Sequence, residues 1–333
     1  MTGVTSIRAS RVVRLARARL VPRRTVSLLM GLAALSASLL FASPETFEQQ
    51  KVLLRELLES EDYRNALVQA RSLQKEWPDD VEMYRLLGAA SLGVGNYAEA
   101  EKHIQWMLDL RIGKSDFSGW LLVARFREAT GDWEGALESL NSAHARASTA
   151  EQRQSALTAA GRIHLNAGRL PVADQAVAAL LKENPDSPAA LQLLARVRLS
   201  QGRKDEAIGT LRALAEKSAG VGSLYLLATL TKDPVHCASF ELAARSLAGR
   251  TRNANAELAL YLSGQGERPV EALQFARTEA ARRRDARTLE ALAVALLANG
   301  LQKEARDVIE EALTSGSRDP ELAAHALMIR ERR

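Results

Sequence analysis

The chain has 333 residues, rich in Ala, Leu, Glu and Arg, with only nine prolines, 20 glycines and 5% aromatic residues. That length admits one to three ordinary domains or one long repeat array, and strong helix formers with few β-branched competitors point to an all-α protein. The formal charge of +5 invites a nucleic-acid reading, but residues 1–43 hold seven arginines and no acid; with those seven taken from 45 basic residues, the remaining 38 meet 40 acidic ones, so phosphate attraction has no support and nucleic acid is excluded as a partner.

The first element is "TVSLLMGLAALSASLLFAS", in which Val26–Ala42 runs 17 residues without a charge behind the basic pair Arg23-Arg24. A basic flank, an apolar run and the small residues Ser36-Ala37-Ser38 have the pattern of a bacterial signal peptide. Seventeen residues is also near the lower limit for spanning a bilayer, so an uncleaved anchor at 26–42 is the rival reading. Either way the rest of the chain is expected outside the cytoplasm, in a bacterial periplasm or cell envelope, with membrane contact only through this segment. "PRRTVSL" matches a twin-arginine signal weakly. Arg8, Arg11, Arg14 and Arg17 step around a helical wheel without forming one face, which disfavours a mitochondrial presequence. The lone cysteine, Cys237, allows no intramolecular disulfide and is too distant to carry a lipid anchor.

After the targeting segment, one pattern recurs. In "GDWEGALESL" a Gly-Asp turn leads into Trp133, Ala136 and Leu140 at helical spacing. Equivalents of Ala136 stand at Ala66, Ala100, Ala173, Ala207, Ala238, Ala272 and Ala305, at intervals of 31 to 37 residues. Each of the eight units reads as a helix, a Gly/Asn/Asp turn and a second helix.

These residues resemble the tetratricopeptide repeat (TPR) family. Unit two carries Tyr84, Leu87, Gly88, Gly95-Asn96-Tyr97, Ala100 and Ile104 at the family's positions 4, 7, 8, 15–17, 20 and 24. Unit three carries Trp120, Val123, Ala124, Gly131-Asp132-Trp133, Ala136, Leu140 and Ala143; unit four carries Leu157, Ala160, Gly161, Gly168, Ala173 and Pro185. The resemblance implies a right-handed superhelical array of antiparallel helix pairs, a TPR-like α-solenoid over residues 44–333. Small residues at positions 8 and 20 let helices approach, and large apolar residues fill the space around them. Trp133 is expected as core, not as a ligand-presenting aromatic.

Units six and seven, about 219–286, lack the Gly-Asp-Tyr turn and place Pro234 and Pro269 near it, which predicts a shortened turn and an irregular stack with a hinge near Lys232–Val235. From Asp319-Pro320 to the C terminus, the chain reads as a solvent-facing capping helix.

The search for chemistry finds little. Five histidines (His103, His144, His164, His236 and His325) are scattered, and no HExxH, CxxC, Walker, GxSxG or GxGxxG pattern is present, so no metal or cofactor is expected. His236-Cys237 is the only His/Cys adjacency and supports the alternative of an enzyme or enzyme subunit; neighbours on a helix point about 100° apart, which favours plain packing. Glu310-Glu311 and Glu59-Glu61-Asp62 read as solvated charge, and "ARRRDAR" (281–287) as a solvated inter-repeat face.

The strongest functional signal also comes with the resemblance, which implies that unit positions 2, 5, 9 and 12 line the concave groove. Position 9 is arginine in units one, three, four and five (Arg55, Arg125, Arg162 and Arg196), and unit two offers Arg85 at position 5. Stacked guanidinium groups suit an acidic or carboxylate-ended peptide or protein. The TPR carboxylate clamp for chaperone tails is not matched, because Lys51 is followed by Arg55 where that clamp has Asn. The expected function is a non-catalytic protein-interaction scaffold, exported or membrane-tethered, that helps assemble an envelope complex.

Overall fold

The computed structural model describes residues 44–109, 116–217, 220–248, 250, 253–314, 316–317 and 319–332. The expected signal peptide or anchor therefore lies outside the described residues. Among the described residues there are 17 α-helices and no strand, and no helix is long and apolar enough to cross a membrane. The chain divides into Met1–Gln50 and Lys51–Arg333; the described residues of the first are the opening turns of α1, and the second holds the array.

The helices run α1 (Pro44–Glu59), α2 (Tyr63–Glu76), α3 (Val81–Gly93), α4 (Tyr97–Asp109), α5 (Phe117–Ala129), α6 (Trp133–Ala145), α7 (Ala150–Asn166), α8 (Leu170–Glu183) and α9 (Pro188–Ser200). They continue with α10 (Lys204–Lys217), α11 (Val221–Thr231), α12 (Pro234–Leu247), α13 (Asn255–Gln265), α14 (Pro269–Ala280), α15 (Ala286–Ala298), α16 (Gln302–Thr314) and α17 (Pro320–Glu331). Consecutive pairs pack as hairpins and each hairpin packs on the next, the arrangement of an α-solenoid.

Local chemistry explains the helix ends. Asp62, Asp80, Asp132 and Asp285 each accept a hydrogen bond from a first-turn amide of the helix they precede, and Pro188, Pro234, Pro269 and Pro320 occupy first-turn positions that need no N–H donor. In the opening "GDW" turn, Gly131 takes φ +80°, Asp132 accepts from the Gly135 amide at 3.0 Å, and Trp133 is 6% exposed. The left-handed residue recurs five positions before the buried small residue: Glu61, Gly95, Gly131, Gly168, Gly202 and Gly300 precede Ala66, Ala100, Ala136, Ala173, Ala207 and Ala305.

In unit seven Gly266 stands six residues before Ala272, but in these seven units the small residue is the fourth of its helix, and that spacing corrects the register of unit six. Ala238 is exposed, whereas Cys237 is half-buried against the core and lies five residues after Lys232, which adopts φ +52°. Cys237 is thus the unit's small inward residue, and the reading that gave Ala238 this place was one residue late. The turn is indeed short, two residues (Lys232 and Asp233) where the others have three. In the segment read as a hinge, Lys232, Pro234 and Val235 are exposed, and the helix that follows is anchored by Phe240, fully buried with Tyr225 and Tyr261 edge-on at 5.5 and 5.1 Å. It belongs to the largest continuous core, which joins α11 through α17. In α15, every residue from Thr288 to Leu297 is buried. The final helix buries Leu322, Ala326 and Ile329 and leaves Leu327 outside.

The second unit also turns back on itself. The segment after α14 reaches the turns of units one and two: the Arg64 amide donates to the Arg282 carbonyl at 3.1 Å, and the Arg284 amide donates to the Gly93 carbonyl at 2.9 Å. Farther on, the loop after α16 seats against unit three so closely that a Cβ on Gly316 would lie 2.7 Å from the Gly131 Cα. Both residues are glycines because backbone meets backbone there.

Lys232 pays the left-handed penalty that glycine avoids elsewhere. Lys232→Gly is expected to raise the denaturation midpoint, a gain of about 0.5–1 kcal/mol, without altering helicity. A lowered midpoint in urea unfolding would show that Lys232 is held there by contacts that outweigh the backbone strain.

A polar cavity where the array closes

Beside the closure lies a half-open cavity of about 330 Å³. One wall comes from units one to four, with Tyr63, Tyr97 and Trp133 at the starts of α2, α4 and α6 and Arg125 and Arg162 on α5 and α7; the other comes from Arg283, Asp285, Arg287 and Glu290 around the start of α15.

Most of its charges are already paired. Arg162 grips Glu128 with both guanidinium arms, Nη2 to Oε2 at 2.7 Å. Arg283 pairs with Glu61, with Glu279 at 2.9 Å and with Asp285 at 3.3 Å. Arg287 bridges Glu290 and Glu321, both at 2.9 Å. Arg125 differs. Its Nη2 donates to the Tyr63 hydroxyl at 3.2 Å, and no carboxylate pairs with it among the described residues. A guanidinium without a counter-charge beside two aromatic walls is a ready anion site.

The other arginines predicted for the groove fall elsewhere. Arg55 and Arg85 converge on Glu82, at 2.7 and 2.9 Å, with Lys51 Nζ 3.5 Å from the same carboxylate and 3.0 Å from Asp80. Arg85, Lys51 and Glu82 border a second hollow of about 500 Å³. Arg196 lies half-buried on α9 and lines neither space. The structure thus brings Arg125 and Arg162 together, sets Arg55 and Arg85 apart around one carboxylate, and leaves Arg196 separate. Position 9 repeatedly reaches a carboxylate of the neighbouring unit: Arg55 crosses to Glu82 of unit two, and Arg162 reaches back to Glu128 of unit three.

Sequence reasoning missed the opposing wall. "ARRRDAR" is not a solvated face: the Arg283 side chain is 15% exposed, and the run forms the closure. A basic run in a net-neutral chain was the available signal, but its acidic counterpart, Glu61, is 222 residues away.

Two further clusters invite chemistry. The ligand atoms of Glu290, Glu321 and His325 lie within 4.8 Å of one another. Each carboxylate oxygen already has a partner, however: His325 Nδ1 at 2.7 Å and Arg287 on Glu290, Tyr225 OH and Arg287 on Glu321, the last three at 2.9 Å. With each oxygen so paired, the cluster reads as a tie between α11, α15 and α17. At the candidate enzyme pair, Cys237 Sγ faces the Ala228 carbonyl at 3.9 Å while His236 Nδ1 meets Thr231 Oγ1 at 3.0 Å. Burial and then a hydrogen bond with Cys237 push the Tyr261 phenol up to about 12. The thiol and the imidazole face different partners.

Burial works to raise the Glu82 carboxyl, but the hydrogen bond from Arg55 and the charges of Arg85, Arg55 and Lys51 overcome it and hold the group at about 2, below its ordinary 4.5. A depressed folded pKa stabilises the fold above the unfolded value, and this contribution is lost as pH falls from about 4.5 towards 2. Over that window Glu82→Gln is expected to lose less stability than wild type in parallel urea titrations. Identical pH slopes would show that the cluster contributes nothing to acid sensitivity.

Residues 52–105 and 158–221 match the family profile Tetratricopeptide repeat. No curated protein matches the chain significantly. Among solved structures, a tetratricopeptide repeat protein from Parabacteroides merdae is 15% identical, covering 86% of this chain and 100% of that one at a TM-score of 0.43. Yeast Tom70 is 14% identical over 92% of this chain and 58% of that one, at 0.47, and MamA is 18% identical over 53% and 93%, at 0.40. The profile matches these two stretches, and the eight helix hairpins, each turning through a left-handed residue ahead of a small inward one, give the chain the fold of a tetratricopeptide-repeat-like α-solenoid.

Proposed function

We propose that this chain is a non-catalytic scaffold, exported or membrane-tethered, that receives the carboxylate-bearing end of a protein partner at Arg125 and contributes to assembling a complex in the cell envelope. The observation that carries the site is the Arg125 guanidinium, which lines the cavity with a tyrosine hydroxyl as its partner and no carboxylate. An incoming carboxylate would supply two charge-assisted hydrogen bonds in the fork geometry that arginine favours. Tyr63 and Trp133 offer apolar flanks to the terminal residue. At about 330 Å³ the cavity is at the small end of ligand pockets, ~300–1,000 Å³, which suits an extended chain end and not a helix about 10–12 Å wide.

Arg162 is the supporting cation. Its charge is shared with Glu128, so it shapes the wall more than it offers a vacant charge. Arg55, Arg85 and Arg196 are assigned to the remaining inner surface, where acidic segments of a larger partner would run. Export rests on the sequence before the array: seven arginines, a 17-residue uncharged run, and small residues in a cleavage-like arrangement.

Arg125→Glu is expected to abolish capture of partners that the wild-type chain retains, with a stability change within about 0.5 kcal/mol because the side chain is exposed and forms no ion pair. Undiminished capture by the variant would reject Arg125 as the anchor. Amidation of the partner's C-terminal carboxylate should reproduce the loss.

Export is tested separately. A reporter enzyme active only outside the cytoplasm, fused after Glu45, should be active in bacterial cells. A silent fusion would remove the envelope assignment while leaving the array intact.

A further inference from the structure

The segment Arg282–Asp285 is bound by units one and two in the way a peptide is bound. Helix ends leave backbone groups without intrahelical partners, and the N-terminal units present three such groups at one mouth: the Arg64 amide in the first turn of α2, the Ser60 carbonyl after α1, and the Gly93 carbonyl at the end of α3. The segment satisfies all three. Its Arg282 carbonyl accepts from Arg64 at 3.1 Å, Arg282 Nη2 donates to Ser60 at 2.7 Å, and the Arg284 amide donates to Gly93 at 2.9 Å. Arg283 adds an ion pair with Glu61. The carbonyl ends of α1 and α3 carry partial negative charge, so cationic side chains are favoured there.

The arginines divide by role. Arg282 and Arg283 read the mouth, whereas Arg284 turns to Glu311 of unit eight, with Nε at 2.8 Å from Oε1. Charge and main-chain hydrogen bonds hold this joint, in contrast with the apolar packing between successive units. Ion pairs at a partly hydrated seam weaken with salt far more than buried leucines do.

We propose that the mouth formed by Ser60, Glu61, Arg64 and Gly93 is a docking site for a short segment bearing two consecutive arginines, occupied in cis by Arg282–Asp285 as it turns out of α14 and available in trans to a partner peptide of the same chemistry. Glu61 and Gly93 also line the Arg125 cavity, but the mouth takes a ligand of opposite charge, so peptide binding here and carboxylate capture at Arg125 are read by different probes.

A synthetic peptide of residues 281–287 is the probe, followed by fluorescence anisotropy on the full chain. The cis segment is disabled by Arg282→Ala and Arg283→Ala, with Glu279→Gln added so that the buried Glu279 is not left as a charge without its arginines. The peptide should bind this variant at least about tenfold more tightly than wild type, since a tethered competitor acts at an effective concentration of about millimolar. Alanines at the peptide's first two arginines should abolish binding, and alanine at the third should not. Equal binding to both chains, or binding to neither, overturns the proposal.

A second measurement needs no variant. In the wild-type chain, hydrogen exchange at the Arg64 and Arg284 amides should accelerate about tenfold between ~0.05 and ~0.5 M salt while interior amides such as Leu292 are unchanged. Exchange of those two amides only through global unfolding, at either salt concentration, would equally overturn it.

Discussion

One small inward side chain per unit sets the spacing on which the rest of the array depends. Ala66, Ala100, Ala136, Ala173, Ala207, Ala272 and Ala305 are fully buried, and Cys237 takes the same place in unit six. A larger group there would hold the two helices of a hairpin apart, and the apolar residues flanking it would lose contact on one side. Position 8 obeys the same constraint: a Cβ on Gly161 would lie 2.8 Å from Leu193 Cδ2 and 3.2 Å from Ala176 Cβ, so the neighbouring helices would have to give way to admit it. A hairpin packed this closely still has an apolar face on either side. Burying both requires neighbours, so stacking follows from the spacing.

Charge then does what packing does not. Within the apolar stack the units follow one another by contact area, but between non-successive units the chain uses arginine. Arg282 and Arg283 join units one and seven, and the Arg284 amide reaches unit two; the Arg284 side chain and Arg287 add ties to the next unit and to α17. A rigid fork with several donors can satisfy a helix-end carbonyl and a carboxylate in one place, which a lysine ammonium does less well. The same property explains why arginine at position 9 is mostly a staple: Arg55 and Arg162 are committed to carboxylates of adjoining units. Arg125 stands out because its nearest partner is a phenol.

The repeat was legible in the sequence because its determinants are local. Gly131, Asp132, Trp133 and Ala136 lie within six residues, and each acts on its own turn or hairpin. Unit six was legible only approximately. With Lys232 in the left-handed position usually held by glycine, and Cys237 where other units have alanine, both markers were disguised, and the neighbouring Ala238 drew the register one residue late.

The site was legible in part. The family resemblance, applied in register, named Arg125 and Arg162 as inner-surface residues, and both line the cavity. What it could not supply was the opposing wall, because the pairing of Glu61 with Arg283, or of Gly131 with Gly316, joins residues more than 180 positions apart. Such contacts depend on the accumulated rotation of many hairpins, and small differences in each unit's packing angle add along the stack. The sequence by itself determined the helices, their turns and the side each presents to its neighbours, since those follow from propensity, capping and a short hydrophobic period. Only the tertiary structure decided that a basic run closes beside a cavity on the inner surface, and which arginine there lacks a counter-charge.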